Sequence, residues 1–108
     1  MKKIPLTLSP NQLFALEKLL NQLQDFIATN AAGFSMKSAC LDVAELVHRK
    51  YRKACGELDI FNEKKKIKVD LKYHEAYHLL QYIILSGLVM NLPFELQTIK
   101  NFLDQKLA

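Results

Sequence analysis

The chain has 108 residues, 50% of them hydrophobic and 24% charged, with 3 Gly and 3 Pro, which leaves room for a single core and little flexible linker. Fifteen Lys and Arg against eleven Asp and Glu give a formal charge of +4, but the stretch from Arg49 to Lys68 alone carries eight basic and three acidic residues, and the remainder sums to −1. Apolar runs such as Tyr82–Leu85 fall far short of the ~20 residues of a spanning helix, and Pro5 and Thr7 interrupt the run behind Met1-Lys2-Lys3. Neither a membrane span nor a signal peptide is expected, and the chain reads as cytoplasmic.

Ile4, Leu6 and Leu8 alternate with Pro5 and Thr7, which predicts a short strand. Ser9 as N-cap, Pro10 at the first helical position and Gln12 at the third form a capping box. The helix behind it carries Leu13, Leu16, Leu20, Leu23 and Ile27 on one stripe, widened by Leu19 and Phe26, and is expected to reach about Thr29. Asn30-Ala31-Ala32-Gly33 breaks that pattern, and a second helix of about five turns is expected from Ser35 or Ser38 to a Gly56 C-cap. Met36, Cys40, Val43, Ala44, Val47, Tyr51 and Ala54 share one of its faces. Cys40 and Cys55 lie fifteen positions apart on it, roughly 22 Å along the axis, so no bridge between them is expected.

Residues 57–66 read as mostly loop. Ile67, Val69 and Leu71 alternate with Lys68 and Asp70 as a second strand, followed by a third helix from about Lys72 to Val89. Its expected core stripe is Ala76, Leu79, Leu80, Ile83, Ile84 and Leu88, with Tyr73 close to it. After Asn91-Leu92-Pro93, a fourth helix runs to the C-terminus with Phe94, Leu96, Ile99, Phe102, Leu103 and Leu107 inward. Residues 4–16 match residues 67–79 at an offset of 63, with Gln12 facing Glu75 at the cap and Phe14 facing Tyr77. The fold expected is therefore one mainly α domain of four helices and two short strands, which could be two βαα half-repeats, 1–63 and 64–108.

His74-Glu75-Ala76-Tyr77-His78 is a literal H-E-x-x-H, in which two histidines one turn apart can bind zinc and the Glu can act as general base. With Ala76 set at 0°, the apolar stripe centres near ~20° while His74 and His78 fall near ~160° and ~200°, away from the core. The motif also sits in the first helical turn, where Glu75 serves equally well as the N3 cap, and Glu95 is the sole downstream carboxylate at gluzincin spacing. A zinc peptidase is thus disfavoured; exposed His74 and His78 remain a candidate metal pair, and no resident cofactor is expected.

The basic segment, Arg49, Lys50, Arg52, Lys53, Lys64, Lys65, Lys66 and Lys68, could contact nucleic-acid phosphates. Its first half also has a structural explanation, because Asp42 and Glu45 precede the cations on the helix as the macrodipole favours. Tyr77, Tyr82 and Leu85 join the histidines on the less buried side of helix three as candidate interface residues. A helix apolar almost all round is covered on both sides, by its own domain or by a partner. The function expected is a non-enzymatic interaction or accessory domain that self-associates or binds another protein, with nucleic-acid binding as the alternative.

Overall fold

The computed structural model describes residues 3–27, 29–56 and 66–107. Strand β1 (Lys3–Leu8) leads into α1 (Pro10–Asn21), a 3₁₀ turn (Gln22–Asp25) and α2 (Ala31–Gly56); β2 (Ile67–Lys72) leads into α3 (Tyr73–Val89) and α4 (Phe94–Leu107). The two strands pair antiparallel, Ile4 opposite Leu71, Leu6 opposite Val69 and Leu8 opposite Ile67. Because side chains alternate across a strand, this register sends Ile4, Leu6, Leu8, Val69 and Leu71 inward together and leaves Lys3, Pro5, Thr7, Lys68, Asp70 and Lys72 in solvent. The molecule is mainly helical, with this ribbon as its sheet.

Each strand enters its helix through the same corner. At the first, the Ser9 N–H donates to Gln12 Oε1 at 2.9 Å and Ser9 Oγ accepts from the Gln12 N–H. At the second, the Lys72 N–H donates to Glu75 Oε1 at 2.8 Å. The 63-residue offset carries Ile4 opposite Leu71 onto Ile67 opposite Leu8, and Leu6 opposite Val69 onto itself, so the ribbon has a local two-fold axis between Leu6 and Val69. The four helices close a ring, α1 on α2, α2 on α3, α3 on α4 and α4 on α1. Leu13, Leu16, Val43, Val47, Leu79, Ile83, Ile99 and Leu103 fill its interior against the ribbon's inner face.

The helix boundaries differ from expectation at two places. The α-helical part of the first helix stops at Asn21, the chain tightens into the 3₁₀ turn, and Phe26 leaves in extended conformation with its N–H donating to Leu23 O. Phe26 thereby turns back against the Tyr82 ring, while Ile27, assigned to the core stripe by periodicity, is 82% exposed. The second helix begins at Ala31, not at Ser35 or Ser38, because Asn30 Oδ1 accepts the Gly33 N–H at 2.8 Å and so supplies the cap. The expected loop at 57–66 lies, apart from Lys66, outside the described residues.

Helix α3 also differs in which residues it buries. Tyr82, expected at an interface, is 5% exposed and its hydroxyl donates to Leu19 O at 3.4 Å, tying α3 to α1. Tyr73, Ile84 and Leu88, assigned to the core by sequence, face solvent, as does Phe94 at the start of α4. The end of α3 closes tightly on the following turn: a Cβ at Gly87 would lie 3.1 Å from Leu92 Cδ1. Gln12 Nε2 donates to Thr98 Oγ1 at 2.8 Å and ties α1 to α4. Leu23 and Ile27 therefore give a direct test of where the first stripe ends. Leu23→Ala should cost about 2–5 kcal/mol in urea unfolding, and Ile27→Ala should stay within about 0.5 kcal/mol of wild type.

Candidate interaction surface

The seventeen residues of α3 contain a single charged side chain, Glu75, and its carboxylate is engaged at the helix N-terminus by the Lys72 N–H. Placing successive residues ~100° apart, Ala76, Leu79, Leu80, Tyr82, Ile83 and Ser86 occupy the buried arc. Tyr73, Ile84, Tyr77 and Leu88 fall within ~60° of one another on the opposite arc, with Gln81, His74, Leu85 and His78 beside them. The outer face of α3 thus carries five large apolar or aromatic side chains with Gln81, His74 and His78 among them, and no Asp, Glu, Lys or Arg beyond the capping Glu75. Of the three interface residues expected from sequence, Tyr77 and Leu85 belong to it and Tyr82 does not, because Tyr82 projects into the core.

One flank of this face is a groove of about 470 Å³ between α3 and the start of α2, lined by Phe26, Ile27, Met36, Tyr77, His78 and Leu85 among others. It exists because the early cap at Asn30 and the extended exit of Phe26 bring the α2 N-terminus alongside α3. Lys37 Nζ donates to Phe26 O at 2.9 Å and pins that junction. His78 is half-buried on the groove wall, edge-on to the Tyr77 ring at 5.3 Å, and its carbonyl accepts from Cys40 Sγ. His74 is exposed. Among the described residues, no group of three or more His, Cys, Asp or Glu side chains is arranged to hold a metal ion.

The described residues of the basic segment divide between different surroundings. Arg49 and Lys50 line a cleft with Lys3, Lys72, Asp42, Glu45, Asp70 and Glu75, four cations among four carboxylates. Arg52 Nε donates to His48 Nε2 at 3.1 Å, and His48 Nδ1 in turn contacts Glu17 Oε1 at 3.1 Å. Asn21 Nδ2 donates to the same buried carboxylate at 3.0 Å. Since Nε2 accepts from Arg52, Nδ1 carries the proton and donates to Glu17. The arrangement has the carboxylate–imidazole order of a catalytic pair, but the nitrogen that would serve a substrate is occupied by Arg52. Lys53, Lys66 and Lys68 are exposed, and Lys64 and Lys65 lie outside the described residues.

Sequence periodicity did not reveal the Glu17–His48–Arg52 chain, because Glu17 and His48 are 31 positions apart and meet only through α1–α2 packing. The outer face of α3 had a readable signal, more large apolar residues than one stripe can bury. No helix among the described residues is long and apolar enough to cross a membrane. Compared with protein-family models, curated proteins and solved structures, the chain matches none of them.

Cys40 is buried beneath this surface with a free thiol, and desolvation pushes its pKa up from 9.0 to about 12. Burial also raises the Tyr82 phenol, with the Cys40 charge adding to the effect. The unfolded chain therefore loses the thiol proton first. The stability contributed by the neutral thiol is complete below pH 9 and declines as pH rises toward 12, by up to about 1.4 kcal/mol per pH unit. Urea unfolding at about pH 8 and about pH 10.5 should show this fall, and Cys40→Ala should make it shallower.

Proposed function

We propose that this chain is a non-enzymatic interaction domain that docks on another polypeptide through the outer face of α3. The observation that carries the reading is a seventeen-residue helix whose one Asp, Glu, Lys or Arg is the capping Glu75 and whose solvent-facing arc holds Tyr73, Tyr77, Ile84, Leu85 and Leu88. Leaving that arc wet keeps a contiguous apolar patch of the kind that marks interaction sites. Glu75 supports the reading as well, because its carboxylate accepts the Lys72 N–H as a cap at the helix start. In cells, p-benzoylphenylalanine placed at position 84 should photo-crosslink to polypeptide. The same group at position 104, exposed on α4, should give only background, and equal yields at the two positions would overturn the reading.

A second reading, contact with duplex nucleic acid, is supported by the ribbon more than by residues 49–68 as a block. Its solvent face carries Lys3, Thr7, Lys68 and Lys72, with Lys66 at its start and Asp70 as the one acid on the strands. Asp70 lies 3.7 Å from Lys68 Nζ. Six-residue strands span about 20 Å, and a two-stranded ribbon fits a major groove roughly 12 Å wide. Lys68→Glu combined with Lys66→Glu should lower duplex DNA affinity at least about tenfold and flatten its salt dependence, whereas Lys50→Ala, inside the balanced cleft, should change little. Retention of DNA undiminished by the double change would remove this reading.

A further inference from the structure

We infer that the occupant of the α3 outer face is a second copy of the same chain, paired antiparallel through α3 about a two-fold axis between Leu80 and Gln81. This inference rests on the docking reading above and identifies the partner. A two-fold interface sets each patch against itself, so a charged side chain near the axis would meet its own like charge in the symmetry mate. In a protein of formal charge +4, a helix with its one carboxylate committed to capping and no Lys, Arg or Asp supplies a face on which only His74 and His78 could carry charge, and antiparallel pairing sets these away from their own copies.

The order of side chains along the face is self-complementary. Both aromatic residues, Tyr73 and Tyr77, stand in the first half, and the aliphatic Ile84 and Leu88 stand in the second at the same four-residue spacing. Antiparallel pairing sets Tyr77 against Ile84 of the partner subunit and Tyr73 against Leu88 of the partner subunit, and each contact occurs twice. Parallel pairing would set ring on ring and leave the aliphatic end to itself.

The area is also adequate. Tyr73, Tyr77, Ile84, Leu85 and Leu88 are between 37% and 77% exposed. At roughly 200 Å² for a large side chain, they leave about 500 Å² for burial. Gln81, His74, His78 and the rim of the adjoining groove extend the patch toward the roughly 800 Å² per partner of a specific interface.

The test is sedimentation equilibrium of the purified full chain, joined to a cysteine-pairing experiment in a Cys55→Ser background. At about 100 μM the chain should sediment at twice its mass, and Leu88→Asp should weaken association at least about tenfold with an unchanged circular dichroism spectrum. A mixture of Tyr77→Cys and Ile84→Cys proteins should form a mixed disulfide under mild oxidation faster than either protein alone, because only that pairing brings the two Cα atoms within about 7 Å. A monomeric wild type overturns the inference, as does a Tyr77→Cys protein that crosslinks to itself as fast as the mixture does. A monomer that still photo-crosslinks from position 84 to a different polypeptide overturns the second copy while leaving the docking reading intact; loss of that crosslink as well overturns both.

Discussion

The antiparallel register of β1 on β2 is the constraint on which the rest of the molecule depends. A two-stranded ribbon is at best marginally stable alone, so it persists here because one face is covered by helices. Shifting the register by one residue would turn Lys68 and Asp70 inward against Ile4, Leu6 and Leu8. Each strand passes directly into a helix, so the register also sets where α1 and α3 begin. The corners at Ser9–Gln12 and Lys72–Glu75 then tie those starts to the strand ends with equivalent backbone-to-side-chain bonds. From two equivalent starts the four helices can close a ring with α1 against α4 and α2 against α3.

That geometry redistributes the charge that dominates the composition. The net positive charge belongs to one segment of sequence, yet its described members have different surroundings. Arg49 and Lys50 share a cleft with carboxylates from α2, β2 and α3. Arg52 is bound to His48, whose other nitrogen serves the buried Glu17 carboxylate. A carboxylate in that position without a partner would be costly, so the His48 and Asn21 contacts explain how Glu17 is tolerated between α1 and α2. The cations facing solvent on the ribbon are brought together by strand pairing, which places Lys3 beside Lys72 although the two are 69 positions apart.

Helix α3 reverses the ordinary relation between sequence pattern and burial. One arc packs into the ring through Ala76, Leu79, Leu80 and Ile83, and the opposite arc still carries Tyr73, Tyr77, Ile84, Leu85 and Leu88 beside Gln81 and the two histidines. Periodicity alone assigned Ile84 and Leu88 to the core because they follow Leu80 at helical spacing. In the fold α1, α2 and α4 cover only one side, and Leu88 is left 77% exposed. Tyr82 shows the converse: a tyrosine suited to a surface is drawn inward because its hydroxyl finds the Leu19 carbonyl at the point where α1 ends.

What the amino-acid order determined by itself is local and periodic. It specified both strands from their alternation, the first helix start from Ser9, Pro10 and Gln12, and the mainly α class, and it showed the likeness of residues 4–16 to residues 67–79. It misplaces the start of α2 because Asn30, a side chain as able to cap as Ser35, stands in the segment that interrupts the apolar period. It carried α1 past its end because Ile27 keeps the helical period without any helix to bury it. Only the tertiary structure decided which arc of α3 is covered, which cations are matched by carboxylates, and that Glu17, His48 and Arg52 form one chain. Those outcomes depend on which surfaces the ring leaves open, and a one-dimensional hydrophobic period records that a residue can be buried without recording whether another element arrives to bury it.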